Sequence, residues 1–366
     1  MLTLVLLFAV LLPLFIITIF IPYWTRRTES FGVSIPEEMY HTTQLQNMRK
    51  QYAMYAMILS VLATVIFIIS GFFLSHNEET LSIFLGVLTL ACIIASFFIY
   101  LKFHRNMKEL KEKEQWSEKK SQQVFIDTKF REQKVTYSNL WFLAPVVIAI
   151  ILIVMSFQAY PAIPDKIPTK FSFSGEVTNW TEKSYKSILL NPVMMIYFTL
   201  LFIFINFMIA KAKQQISVNQ PTESIQKNII FRRRWSLFLI ITSYLLSCML
   251  TMIQLSLMYP IKGEIQAAIS LIITVIILIH CIVLSITTGQ GGSRVKTVQS
   301  QNKNIIDRDD DKYWKLGQFY FNKNDPALFI EKRFGIGWTI NIARPLAWII
   351  FLVIIGLAIL IPMILS

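Results

Sequence analysis

The 366-residue chain is short of charge, cysteine and glycine. Asp, Glu, Lys and Arg make up 16% of it, where soluble domains carry roughly 25%. Three Cys and twelve Gly exclude a disulfide-stapled secreted scaffold and a collagen-like repeat. No CxxC or Cys/His spacing points to a metal; Cys92, Cys248 and Cys281 all lie in apolar runs, where Cys behaves as a small hydrophobe. Gly-x-Ser-x-Gly and HExxH are missing, and Gly289-Gln-Gly-Gly292 lacks the Lys-Ser/Thr of a phosphate loop. With no nucleophile–base constellation either, the sequence reads as non-enzymatic and cofactor-free.

What is there is apolar. Hydrophobic residues reach 54%, and mean hydropathy is +0.54. Eight stretches, about 2–22, 53–74, 81–101, 141–160, 188–210, 236–259, 265–287 and 345–365, hold no Asp, Glu, Lys or Arg. Each meets the roughly 20 residues with which a helix crosses a bilayer core. The runs are continuous rather than alternating, which favours helices over barrel strands. The fold expected is an all-α bundle of eight transmembrane helices with a small α+β part built from the loops. The first stretch is expected to be a retained span: it has no positive leader and is interrupted by Pro13.

Charge sets the expected orientation. Of 35 Lys and Arg, 30 fall in the connections after spans one, three, five and seven. The positive-inside rule puts those loops in the cytosol and both termini outside a cell membrane. Dispersal over four loops argues against nucleic acid; the bilayer, with its anionic lipid, is the expected partner of the +13 net charge.

The domains expected are 1–140 with three spans, 141–210 with two spans and an external loop, 211–287 with spans six and seven, a cytosolic subdomain at 288–344, and the last span at 345–366. In loop one, 28–33 reads as extended, and Pro36-Glu37-Glu38 as the start of a helix running into span two. Span three is expected to continue as a solvated helix through the alternating charges after Lys102. Residues 124–130 read as a strand, with 133–137 as its partner. Gly289–Ser293 reads as a flexible linker, and the acidic run Asp307, Asp309, Asp310 and Asp311 as a solvated lead-in. In 313–322, Phe319 and Phe321 face one way and Tyr320 the other, as in a strand; Asn324-Asp325-Pro326 signals a turn.

Two sets of residues stand out as candidate sites. In the external loop, three prolines keep 161–168 extended, and 169–173 with 177–180 read as a short hairpin. There Asp165, Lys170, Phe171, Phe173, Gly175, Glu176 and Trp180 could bind a peptide or a lipid headgroup. The same aromatics, with Tyr185, could equally be interfacial anchors. In loop seven, the aromatic-rich motif of Tyr313, Trp314, Gly317, Phe334, Gly335, Gly337 and Trp338 is too apolar for a solvated linker. Within the spans, Asn206 and His280 read as interhelical hydrogen-bonding groups. Arg232-Arg-Arg234 reads as an anchor before span six.

The run from Pro161 to Trp180, of form IPxxIPTxFxxxGExxxW between two spans, resembles a bacterial membrane domain of unassigned biochemistry. That domain also occurs in SdpI-type immunity proteins, which protect a Bacillus cell from its own secreted killing peptide and take part in signalling. Lys170 replaces a common His, and Asn179 an often acidic position. Tyr313-Trp-Lys-Leu-Gly317 and 332–341 are similar to a C-terminal domain of unknown function found in longer Gram-positive relatives. The resemblance implies a sensor or immunity protein answering a membrane-active peptide or lipid-like agent, with a cytosolic regulator as a further partner. A transporter and a membrane scaffold are the other readings. Against transport, the spans carry no charge and no paired broken helices.

Overall fold

The computed structural model describes residues 2–74, 77–116, 133–172, 175–214, 221–295 and 310–365. The chain is mostly helical, and eight helices among these residues are long and apolar enough to cross a membrane. They are α1 (Leu2–Trp24), α2 (Thr43–Leu74), α3 (Glu78–Lys113), α4 (Leu143–Ala159), α5 (Leu190–Lys211), α6 (Pro221–Ser256), α7 (Gly263–Thr288) and α8 (Pro345–Leu365). Among the described residues, four two-stranded antiparallel hairpins join them. Their strands are β1 (Glu29–Ser30) with β2 (Val33–Ser34), β3 (Lys166–Phe171) with β4 (Val177–Glu182), β5 (Trp314–Lys315) with β6 (Phe319–Tyr320), and β7 (Phe329–Glu331) with β8 (Trp338–Ile340). Two compact units are distinguished. One comprises residues 1–135, 211–232 and 282–345; the other 136–210, 233–281 and 346–366.

Large apolar side chains stay exposed along the helices, among them Phe72, Phe73, Ile83 and Leu352. Such faces suit lipid rather than water. Pro13 is accommodated in α1 by a π turn at Leu7–Leu11, whose carbonyl pattern shifts by one residue just before the ring that would otherwise clash. Asn77 caps α3, accepting from the Thr80 amide at 3.0 Å, and Glu78 and Glu79 occupy its positive first turn.

Several loop elements depart from expectation. Loop one is a hairpin, not one extended piece: Phe31 and Gly32 both take positive φ (47° and 78°) in the two-residue turn. A phenylalanine is strained there. Its ring is held by Tyr52 at 5.5 Å, Phe103 at 5.4 Å and Phe334 at 5.9 Å, and its carbonyl accepts from Tyr100 Oη at 3.2 Å. The helix expected from Pro36 is a 3-10 turn, Glu37–His41, which ends at the extended residue Thr42 before α2. Arg49 fastens that turn to α2 by donating to the Tyr40 carbonyl at 2.6 Å.

The extension of span three does form, as α3 runs to Lys113, but it is not solvated on all sides. Phe103, His104, Met107, Leu110 and Lys111 are buried. Residues 124–130 lie outside the described residues, and 133–137 form no strand. The strand expected over 313–322 is instead a tight hairpin, because Leu316 and Gly317 turn with φ of 52° and 69°. Its facing is as expected: Tyr320 is buried, and Phe319 and Phe321 are exposed. Gly317 closes onto α3; a Cβ there would lie 2.7 Å from the His104 ring. Gly317→Ala is therefore expected to lose about 1–3 kcal/mol from combined overpacking and backbone strain. Gly356→Ala, in open space on α8, should leave the detergent melting midpoint unchanged or raise it.

Candidate functional site

The first site is the β3–β4 hairpin. Ile163 and Ile167 sink into a cluster with Ile188 and Leu257, which fixes the hairpin base. Lys183 Nζ caps the Ile163 carbonyl at 2.7 Å and meets Asp165 at 3.3 Å, while Tyr160 and Tyr185 stack at 4.1 Å. Pro161 sits in a 3-10 turn (Tyr160–Ala162) rather than the extended segment expected. Pro168 pairs opposite Trp180, a place open to proline because each strand has a free edge. At the tip, Gly175 has φ of 86° and donates to the Ser172 carbonyl at 3.0 Å. A Cβ at Gly175 would collide with the Gly263–Glu264 backbone, so only glycine fits.

What this hairpin offers outward is Asp165, Glu176 and Asn179 beside Trp180, which is 53% exposed. Tyr185 is also exposed. Lys170 and Phe171 lie on β3, in register with Asn179 and Val177, and Phe173 lies outside the described residues. The Asp165–Lys183 pair is too exposed to add much stability. An exposed indole with carboxylates on a braced hairpin suits recognition. No cluster of His, Cys, Asp and Glu able to hold a metal occurs among the described residues.

The second site is a charged centre beneath the loop-seven motif. Glu331 on β7 is fully buried and receives Arg232 Nη2 at 3.0 Å and Asn228 Nδ2 at 2.8 Å from α6, and Arg26 from the end of α1. Arg232 also donates to Asn228 Oδ1 at 2.7 Å and to the Ala212 carbonyl at 3.0 Å. Two residues on, Arg333 pairs with Asp310 and Asp311 and lies 5.2 Å over the Trp314 ring. Asp311 in turn takes Lys111 Nζ at 2.5 Å and the Ser34 hydroxyl at 2.9 Å. Gln290 locks the bend that follows: Nε2 donates to the Lys332 and Gly337 carbonyls, both at 3.0 Å, and Oε1 accepts from the Gly337 amide at 2.8 Å.

Each motif residue of loop seven has a structural place here. Tyr313 precedes β5; Trp314 is buried against Tyr320 at 5.1 Å. Phe334 packs 4.4 Å from Tyr100, Gly335 (φ 87°) lies against Ile21, and Trp338 lies 5.0 Å from Phe231. Three expectations are corrected. Asp310 and Asp311 are ion-paired and partly buried rather than solvated; Asp307 and Asp309 lie outside the described residues. Arg232 is a buried partner of Glu331, so only Arg233 and Arg234 keep the exposed anchor position. Gly289–Ser293 is an ordered turn around the buried Gln290, not a linker. A Cβ on Gly291 would lie 2.5 Å from Arg26, so this glycine permits close packing rather than mobility.

Burial and charge pull these acids apart. Asp311 is opposed by burial, yet Arg333 and Lys111 more than offset that and hold its pKa below the ordinary range. Asp325 is likewise depressed, against burial, by Lys213 at 2.5 Å and the Ala327 amide. Glu29 goes the other way: burial pushes it up to about 7, though Arg26 and Arg333 draw it down. Its nearest ion-pair contact is long, 4.0 Å to Arg333, and its Oε2 is buried without a hydrogen-bond partner among the described residues. Arg26, Glu29, Lys111, Gln290, Glu331 and Arg333 were not singled out by sequence. The one available signal is Glu331-Lys-Arg333 set within an apolar-aromatic run.

Between the helices, Asn206 donates to Asn139 at 2.7 Å and accepts from Ser236 at 2.6 Å. Gln254 donates to Ser156 at 2.7 Å and accepts from Asn191 at 3.1 Å. Such pairs tie helices together in lipid. The His280 ring meets Phe238 edge-on at 5.0 Å.

No curated protein and no solved structure matches the chain. Residues 147–196, which hold most of α4, the β3–β4 hairpin and the start of α5, match a domain of unknown function (DUF1648). Residues 323–348, from the turn after β6 through the Glu331–Arg333 segment to the start of α8, match a family of unknown function (DUF5808). The hairpin site thus lies within the first segment, and Glu331, Arg333, Phe334, Gly335, Gly337 and Trp338 of the second site lie within the other, both similar to families of unknown function, in a chain built as a multi-pass membrane protein.

Proposed function

We propose that the chain is a non-enzymatic sensor or immunity protein of the cell membrane, recognising a membrane-active peptide or lipid-like agent through the β3–β4 hairpin. In this reading both termini and that hairpin lie outside, and the loop-seven subdomain lies in the cytosol. The observation that carries it is the exposure of Trp180 and Glu176 on a hairpin whose base is braced by Ile163, Ile167 and Lys183. A braced hairpin loses little entropy on binding, an aromatic is the usual interface anchor, and acidic neighbours favour a cationic amphipath. The resemblance read in residues 161–180, to a domain that SdpI-type proteins also carry, points to the same class.

The test is survival of a sensitive host challenged with cationic membrane-active peptides. Wild type is expected to protect, and Glu176→Ala with Trp180→Ala to abolish protection at unchanged membrane expression. A wild type that confers no advantage over empty vector against any such agent removes the reading in favour of transport. Equal protection by the double variant would leave the hairpin as an anchor only.

A further inference from the structure

The β5–β6 hairpin carries two faces. Trp314 and Tyr320, paired across it, are buried. On the other face Lys315 pairs with Phe319, and Phe319 and Phe321 are 42% and 38% exposed. At the tip Leu316 is 47% exposed and held at φ of 52°. A leucine in the left-handed region is unfavourable, and its side chain gains no burial there in return. An apolar tip kept at a strained, open position asks for a partner.

The packing of the hairpin on α3 gives its depth. The apolar part of α3 ends at Leu101, and Lys102 is its first charge after Glu79. Tyr100 Oη donates to the Leu316 carbonyl at 2.9 Å, and Gly317 abuts Tyr100 and His104. Asp311, before β5, instead meets Lys111. Tyr100 and Lys111 are about 16 Å apart along a helix rising 1.5 Å per residue. The hairpin therefore runs down α3 toward the apolar segment and places its tip level with the last apolar turn. That is where headgroups begin if α3 spans a bilayer. Lys312, Lys315 and Lys323 flank the apolar residues, all exposed.

We infer that this hairpin is an interfacial anchor. Leu316 and Phe319 enter the headgroup–acyl boundary, and Lys315 meets the phosphates of anionic phospholipid. The inference rests on the chain being a multi-pass membrane protein and is independent of the sensor reading.

Spin labels at Leu316→Cys and Phe319→Cys test it in full-length protein with Cys92, Cys248 and Cys281 replaced by Ala. The protein is reconstituted in phosphatidylglycerol-containing or pure phosphatidylcholine vesicles. Ile93→Cys, exposed in mid-span, and Glu112→Cys, one residue from the end of α3, serve as lipid and aqueous references. In the anionic vesicles, the ratio of oxygen to nickel-chelate accessibility at 316 and 319 is expected several-fold above that at 112 and below that at 93. It should fall in phosphatidylcholine and on adding Lys315→Glu. Three results would overturn the anchor: a ratio equal to the aqueous reference, protection from both reagents, which would mean that protein covers the tip, or equal ratios in both vesicles unmoved by Lys315→Glu.

Discussion

Glu331→Ala is expected to be among the most damaging single substitutions in the loop-seven region, at about 3–5 kcal/mol. The Glu331 carboxylate and the Arg232 guanidinium have no solvent exposure, and Arg26 has little. Removing the carboxylate leaves two buried guanidinium groups without the charge they share. Asn228 then loses its acceptor as well, and an unmet buried donor adds to the loss. The attraction itself is not what makes the site sensitive, because desolvation cancels much of it. Replacing the charged set together, Glu331→Leu with Arg232→Met and Arg26→Met, should for that reason recover a large part of the loss, although Glu331 alone does not tolerate change. Arg232→Lys should fall between, since an ammonium cannot reproduce the fork that reaches Glu331, Asn228 and the Ala212 carbonyl together. Melting in detergent, read by size-exclusion after heating, checks the series. A Glu331→Ala midpoint equal to wild type would show that the centre does not hold β7 in place.

The helices were legible because a membrane span writes itself as one local run: eight uncharged stretches correspond to eight helices. The β3–β4 hairpin was legible for a similar reason, as Pro168, Gly175 and the alternation around Trp180 are local signals. The charged centre was not. Arg232 and Glu331 are 99 residues apart, Lys111 and Asp311 are 200, and Ser34 and Asp311 are 277. A buried arginine looks like a solvated one until its partner is known. Within Arg232-Arg-Arg234, helical rotation alone turns the first residue inward and leaves the next two outward. Glycines misled in the same way. Gly289-Gln-Gly-Gly292 has the composition of a linker, yet Gly289, Gly291 and Gly292 take positive φ in an ordered turn packed against Arg26 and the Lys227 carbonyl. Composition reports what a segment permits, and contacts decide which permission is used.

Glu29→Gln should raise stability, and by an amount that grows with pH. Glu29 lies on β1, buried among Arg26, Arg333, Asp310 and Asp311, and burial outweighs the two arginines. Its pKa stands at about 7 in the folded chain against 4.5 ordinarily. Between those values the folded protein keeps the proton while the unfolded chain has released it. The native state then binds more protons, so stability is full below pH 4.5 and falls as pH rises toward 7. Above that, the ionised and poorly partnered carboxylate weighs about 3 kcal/mol against folding, at roughly 1.4 kcal/mol per unit. Asp311 acts in the opposite sense. Its depressed pKa supports the fold above the ordinary value of 3.8, and that support is lost on acidification below it. Wild type should therefore be most stable in the mildly acidic range, between the loss of Asp311 pairing and the ionisation of Glu29. Glutamine keeps the shape of Glu29 and never ionises. The variant should match wild type near pH 4.5, exceed it progressively to pH 7 and hold a constant advantage above. The two proteins differ at this one residue, so the pH dependence of the difference between their melting midpoints reports Glu29 together with its coupling to Asp310 and Asp311. A difference that does not vary with pH would mean that Glu29 is already ionised in the fold, paired with Arg333 more closely than 4.0 Å.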